Sequence, residues 1–455
     1  MAITSGIFRQ YDIRGVVGDD LTHEAAEAIG CAYAAHLAAV GLVGRVAVGR
    51  DNRPSGVGLR DALVRGLTTS GVDVIDIGVV PTPVLYWSLH HLPVIGGIQI
   101  TGSHNPPEFN GFKLCVGVES LHGDGIQGLL RHIRAGTFPR GTGRVEHMDV
   151  LEQYIDDVVA RTGSISRPLS VVFDAGNGAG ALVAESLFSR LGVRGRYLYC
   201  ESDGTFPNHH PDPTVVENLQ DLIAAVREQQ ADLGIAFDGD ADRIGVVDDA
   251  GTIIWGDHIL ILYARDVLAR TGAGQPIIFD VKCSQALPVA IERAGGVPVM
   301  WKTGHSLIKD KMKELRAPVA GEMSGHMFFA EGFYGHDDAL YGAARLLRII
   351  ADSGQSLSQL LSDVPPFVAT PEIRVECGDD RKFALVEAAA RHFTARYEVI
   401  DVDGVRVLFG DGWGLIRASN TQPILVTRYE ASTPERLAAI QHEMEEWLRS
   451  QGVTP

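Results

Sequence analysis

The residues best able to do chemistry gather in a few short loops. In Asp238-Gly-Asp240-Ala-Asp242-Arg243, three carboxylates fall within five residues. At that spacing they repel one another unless a cation lies among them, and hard oxygen ligands select Mg²⁺ or Ca²⁺. A calcium-binding helix–loop–helix is excluded, because the sixth position is Arg243 instead of Gly and a strand-like apolar run, 233–237, leads in. Mg²⁺ binds through few carboxylates plus a phosphate. The loop therefore predicts a phosphoryl group nearby.

Thr101-Gly-Ser103-His104-Asn-Pro106 offers a place for one. A serine in a glycine-flanked loop is expected to be exposed, with an oxygen suited to carry a phosphate that completes the metal's ligands. His104 and Lys113 can shuttle a proton or balance charge. No protease-type triad is expected, since contiguous side chains diverge and no G-x-S-x-G elbow is present. In Gly321-Glu322-Met-Ser324-Gly-His326, acceptor, donor and dual-role groups suit sugar hydroxyls. Arg417-Ala-Ser419-Asn420-Thr421-Gln-Pro423 sets a guanidinium fork beside hydroxyls and an amide, the makings of a phosphate clamp. Taken singly, each loop also reads as an ordinary polar turn. Gly176-Asn-Gly178-Ala-Gly-Ala181, with Glu201 downstream, fits a dinucleotide fingerprint. The equivalent loops at Asp51 and Asp280 lack that pattern, and tight-turn glycines account for it.

The elements that must position these loops recur. Apolar runs ending in Asp at 46–51, 171–174 and 277–280 are each followed by a helix-like stretch and a Gly-led apolar run, at 71–78, 192–200 and 295–301. A third run then opens into one of the three loops holding Ser103, Asp238 and Glu322. Such alternation predicts βαβ units and largely parallel sheets, with ligands beyond the carboxyl ends of the strands. Three duplicated α/β domains sharing one cleft is the economical inference. After Pro365-Pro366, alternation at 372–376, 396–402, 405–409, 413–418 and 424–429, then an amphipathic stretch at 434–447, predicts a smaller α+β domain. The expected domains are 1–149, 150–251, 252–364 and 365–455.

A chain of 455 residues is too long for one core. Its formal charge of −17 argues against nucleic acid and anionic membrane as partners, so an anionic substrate must meet a local basic pocket. The five cysteines are scattered and odd in number, which predicts reduced thiols without a disulfide framework or zinc site. Early charges at Arg9, Asp12 and Arg14 exclude a secretory signal, and no run approaches a membrane span. The expected location is the cytoplasm, as a monomer or weak homodimer.

Taken in order, these motifs resemble the α-D-phosphohexomutase family, in its bacterial phosphomannomutase/phosphoglucomutase branch. The resemblance runs from Phe8-Arg-Gln-Tyr11-Asp-Ile-Arg14-Gly through the four loops, and includes Lys282 and His305 in their motifs. It implies three related α/β domains with mixed sheets and a smaller C-terminal α+β domain around a central cleft. It implies a phosphoserine at Ser103, and Mg²⁺ held by Asp238, Asp240, Asp242 and the Ser103 phosphate. Arg14, His104 and Lys113 match groups that assist proton transfer or stabilise charge. Glu322, Ser324 and His326 match the sugar-selecting loop. Arg417, Ser419, Asn420 and Thr421 match the phosphate loop, with Tyr11, Arg243, Lys282 and His305 lining the cleft. The family often has Gly where Ala241 stands, its side chain pointing away from the metal. The implied reaction interconverts hexose 1- and 6-phosphates through a bound 1,6-bisphosphate. A phosphatase with Asp238 as nucleophile and a non-catalytic sugar-phosphate sensor are the alternatives.

Overall fold

The computed structural model describes residues 3–420 and 422–454. The threefold echo of the sequence is a threefold repeat of one sheet. Arg45–Arg50, Ser170–Asp174 and Pro276–Asp280 are the first strands, each flanked in parallel by the next two strands of its unit. The order across the sheet is the same each time: Asp73–Val79, Arg45–Arg50, Val94–Ile100, Phe109–Val116; then Arg194–Leu198, Ser170–Asp174, Leu233–Phe237, Ile244–Asp248; then Val297–Trp301, Pro276–Asp280, Val319–Gly321, Met327–Phe329. Helices make the parallel crossovers, among them Gly56–Thr69, Gln220–Gln229 and His305–Leu315.

The fourth strand of each unit is antiparallel to the third. These sheets are therefore mixed, where βαβ alternation alone predicts largely parallel ones. The reason is local: the connection between the third and fourth strands is the chemistry loop itself, too short for a crossover helix, and only an antiparallel return fits it. Each loop thus becomes a hairpin tip at the carboxyl end of a buried strand. Leu233–Phe237 is buried along its whole length, as a strand covered on both faces must be.

Strand alternation divides the cores. Ala47, Val171, Phe173, Ile277 and Phe279 point into one continuous core shared by the three units. Their neighbours Val46 and Val48, Val172, and Ile278 point into three separate outer cores. The shared core is what holds the three hairpin tips in register with one another. Asp338 reinforces it by capping helix Ala339–Ser353 through Tyr341 N while accepting from Tyr154 Oη at 3.0 Å.

The fourth unit is an antiparallel sheet built on Val405–Leu408, Gly412–Ala418 and Ile424–Ala431, with Ile373–Glu376 paired to the last. Helix Pro434–Ser450 covers it as the sequence pattern indicates, together with a second helix, Lys382–Thr394, that the alternation did not reveal. That helix buries Leu385, Ala389 and Phe393, a one-sided stripe amid alanines. The sheet's other face docks on the third unit: Arg406, fully buried, lies 3.7 Å over the Trp413 ring and donates to Val281 O and Cys283 O. All five cysteines are free. No helix among the described residues is long and apolar enough to cross a membrane.

Candidate active site

The three hairpin tips and one loop of the fourth unit meet. Ser103 Oγ donates to Asp238 Oδ2 at 3.0 Å, joining the first tip to the second. Ser103 is only 3% exposed, which corrects the expectation of an exposed serine: the acidic tip lies directly over it. The approach is possible because residue 239 is Gly. A Cβ there would collide with Ser103 O.

His104 Nδ1 lies 3.0 Å from Ser103 Oγ, although contiguous side chains were expected to diverge. Ser103 adopts a left-handed backbone, φ 50°, and this turns both side chains to the same side. Arg14 reaches the tip through Asn105 Oδ1 at 3.2 Å and is held by Asp12 at 2.6 Å. Ala241 also has positive φ, 58°, a conformation natural to Gly.

Asp238, Asp240 and Asp242 are fully buried, and each offers an oxygen within 4.8 Å of the others. Lys113 Nζ reaches between them, donating to Asp240 Oδ2 at 2.9 Å and to Asp242. Asp240 Oδ2 also accepts from Thr101 and Thr82, whereas Asp240 Oδ1 is buried with no hydrogen-bond partner. Three converging carboxylates, one with an orphaned oxygen, fit a divalent cation. Burial, then Asp242 and Asp240, drive the Asp238 pKa well above the usual carboxylate range. Burial opposes the charge on Asp242, but Lys113 and His326 outweigh it and hold Asp242 well below that range. Burial also works against the Lys113 ammonium, yet Asp240 and Asp242 push its pKa up. Burial, then Arg243 and Arg14, keep His104 neutral, well below the usual histidine value.

The third tip joins the second through a backbone bridge between Arg243 and His326. His326 sits between two acids, with Nε2 3.2 Å from Asp242 Oδ1 and Nδ1 2.6 Å from Glu322 Oε2. Burial opposes its charge, but these acids carry its pKa up to about 9 against repulsion from Arg243. Glu322 is correspondingly lowered to about 2: burial raises it, and His326, Lys282 and Gly304 N more than compensate. His305 lies 3.6 Å from Asp337, with burial holding it well below the usual value. Ser324 is half-buried at the tip of the turn.

The fourth unit closes the circle. Tyr11 Oη donates to Thr303 O at 2.7 Å and accepts from Asn420 Nδ2 at 2.7 Å, so units one, three and four meet at one phenol. Arg417 Nε donates to Asp403 Oδ2 at 3.0 Å, and Asp403 in turn accepts from Thr303 N. Ser419 Oγ accepts from Gln422 N, while Thr421 lies outside the described residues. Lys282 Nζ pairs with Glu372 at 3.0 Å. Contacts among the residues singled out in the sequence thus link all four units.

Models of the phosphoglucomutase/phosphomannomutase alpha/beta/alpha domains I, II and III match residues 5–137, 152–251 and 255–367, and the model of the C-terminal domain matches 372–446. The chain belongs to the phosphoglucomutase/phosphomannomutase family, the α-D-phosphohexomutases. It is 49% identical over 443 residues to the phosphomannomutase/phosphoglucomutase of Pseudomonas aeruginosa, which spans 96% of this chain and 94% of that one. It is 46% identical over 454 residues to the phosphoglucomutase of Neisseria gonorrhoeae, spanning 99% and 98%. A crystal structure of a phosphoglucomutase/phosphomannomutase family protein from Burkholderia thailandensis superposes with a TM-score of 0.91 at 44% identity, covering 99% of this chain and 98% of that one.

Several groups in this phosphohexomutase escaped the sequence reading. Asp51, just beyond the first strand, accepts from Thr101 Oγ1 and Gly102 N and so grips the serine tip; Asp280, its counterpart, accepts from Met323 N in the sugar-loop tip. The repeated strand-end Asp was the available signal. Lys382, almost fully buried, takes the carbonyls of Ser419 and Gln422, and nothing in the local sequence foretold it. The dinucleotide-like glycines serve a different end: a Cβ on Gly178 would meet Gly239 O at 2.7 Å, so they admit the acidic tip.

Proposed function

We propose that the chain interconverts hexose 1-phosphate and hexose 6-phosphate, of mannose, glucose or both, through a phosphoryl group carried on Ser103. The observation that supports this most is the 3.0 Å contact between Ser103 Oγ and Asp238 at the edge of a buried three-carboxylate cluster. An ordinary structural serine has no need of such a neighbour. The names of the Pseudomonas and Neisseria relatives supply the sugar classes.

In this reading phospho-Ser103 gives its phosphoryl to the free hydroxyl of the bound hexose monophosphate. The P–O bond to Ser103 Oγ breaks, a bond to the sugar oxygen forms, and the product is a 1,6-bisphosphate. The bisphosphate turns within the cleft and returns its other phosphoryl to Ser103. His104, 3.0 Å from Oγ, exchanges the proton that Ser103 gains and loses. Asp238, Asp240 and Asp242 are the residues that hold Mg²⁺, which when bound neutralises charge on the transferring phosphoryl. Lys113 keeps the cluster's charge balanced from the protein side.

Glu322, Ser324 and His326 recognise sugar hydroxyls, with Arg14, Arg243, Lys282 and His305 around them. Arg417, Ser419, Asn420 and Thr421 hold the phosphate that is not reacting. One clamp then serves both orientations of the bisphosphate. The Asn420–Tyr11 contact closes the cleft over the sugar and excludes water, which protects phosphoserine from hydrolysis. Domains 1–149, 150–251, 252–364 and 365–455, a cytoplasmic location and a monomer or weak homodimer complete the proposal. A coupled assay of mannose, glucose and glucosamine 1-phosphates with Mg²⁺ tests the substrate class; activity confined to glucosamine 1-phosphate would refute it.

A further inference from the structure

Arg53 is fully buried, yet its charge is not spent on a simple ion pair. All five of its side-chain N–H groups are used. Nε donates to Asp51 Oδ2 at 3.2 Å, Nη1 to Pro106 O at 2.6 Å and Phe109 O at 3.1 Å, and Nη2 to Ser103 O at 2.7 Å and Asn105 O at 2.6 Å. Four carbonyls of the serine tip therefore converge on one guanidinium. A chain that turns four carbonyls inward must turn its side chains outward, and Ser103 does so from a left-handed backbone, φ 50°. Only a planar fork with five donors can satisfy that geometry; the Lys ammonium has three and cannot span it.

We propose that Arg53 is the positioning residue of the phosphoryl carrier: it fixes the backbone from which Ser103 Oγ is aimed at Asp238. The inference rests on Ser103 being that carrier. The second unit clamps Arg53 in turn. The Phe206 ring lies 5.0 Å from its guanidinium carbon, a Cβ on Gly204 would collide with Arg53 Cα at 2.5 Å, and Asn52 beside it donates to Asn177 O at 2.6 Å. The unit that supplies Asp238 thus also holds the device that aims Ser103. Among the described residues, Arg53 makes no hydrogen bond or ion pair with the carboxylate cluster or with the sugar or phosphate loops, so its effect should fall on transfer and spare substrate binding.

The test is single-turnover transfer from ³²P-phospho-Ser103 to hexose 1-phosphate in the full-length enzyme, with KM and melting temperature measured beside it. Folded Arg53→Lys should transfer about 100-fold more slowly with KM within about threefold of wild type. Arg53→Ala should regain about tenfold in rate with non-denaturing guanidinium and nothing with matched NaCl. Transfer at the wild-type rate in either folded variant, a rise in KM without a loss of rate, or equal rescue by NaCl overturns the proposal. If both variants fail to fold, Phe206→Leu decides: slowed transfer at unchanged KM upholds it, and an unchanged rate overturns it. A wild type that never labels at Ser103 defeats the carrier reading itself, whereas a labelled wild type matched by its Arg53 variants defeats only the role of Arg53.

Discussion

Ser103 and Asp238 belong to different units of the repeat, 135 positions apart, and their side chains meet at 3.0 Å. The contact joins the group proposed to carry phosphate to the group proposed to hold its metal. It exists because two hairpin tips, each at the end of a buried strand, abut at Gly239, where the second tip passes close to Ser103 O.

Gly239→Ala tests that approach directly. The added methyl would run into the Ser103 carbonyl on one side and meet Pro211 Cγ at 3.4 Å on another, so the tips must separate. Overpacking of this kind costs about 1–3 kcal/mol, and a displacement of the order of 1 Å costs about 100-fold in rate. Differential scanning calorimetry and a coupled mutase assay should show a lowered melting temperature and a greater loss in kcat than in substrate affinity. Wild-type kcat in this variant would mean the tips need not touch.

Removal of divalent cations should abolish turnover and lower the melting temperature, and Mg²⁺ should restore both. Three buried carboxylates repel one another, and burial, Asp242 and Asp240 raise the Asp238 pKa despite Arg243 and Lys113 nearby. At a metal concentration about 100 times Kd, binding adds about 2.7 kcal/mol to stability. The gain should vanish in Asp240→Asn, whose Oδ1 is the orphaned acceptor. An equal Mg²⁺-induced shift in that variant would place the cation elsewhere.

The Lys282–Glu372 pair gives the chain a signature in acid. Burial opposes ionisation of Glu372, but Lys282 and Arg374 hold its pKa at about 2, below the ordinary value of 4.5. A carboxyl depressed in the folded state contributes stability that is fully present above about pH 4.5 and is lost as pH falls towards about 2. Allowing for partial exposure, the contribution is on the order of 2 kcal/mol. Glu372→Gln should therefore melt below wild type at pH 7, and the gap should narrow steadily towards pH 3. A gap that stays constant with pH would show that the pair's charge contributes nothing.

Much of this site was legible because it follows short-range rules. An apolar run ending in polar residues marks a strand end, and Asp238, Ser103 and Glu322 each stand just beyond one. The fourth unit's strands announced themselves by alternation. What stayed hidden depends on contacts across the chain. Arg53 looks like any arginine in a turn until four distant carbonyls converge on it. The burial of Ser103 comes from the acidic tip of another unit lying over it, and its closeness to His104 from a positive φ that no neighbouring residue type demands. Helix Lys382–Thr394 is hard to see in the sequence because its buried stripe, Leu385, Ala389 and Phe393, is narrow and set amid alanines, and Lys382 at its start gives no sign that it faces the carbonyls of another loop.

The most direct test of a phosphoryl group on Ser103 is to locate the phosphate during turnover. Full-length enzyme is incubated with ³²P-labelled glucose 1,6-bisphosphate and Mg²⁺, quenched in acid, and mapped by peptide mass spectrometry. One acid-stable phosphate on the peptide containing Ser103, chased off by unlabelled hexose 1-phosphate and absent from Ser103→Ala, is the predicted result. An acid-labile phosphate on Asp238, or full turnover with Ser103 never modified, would contradict it.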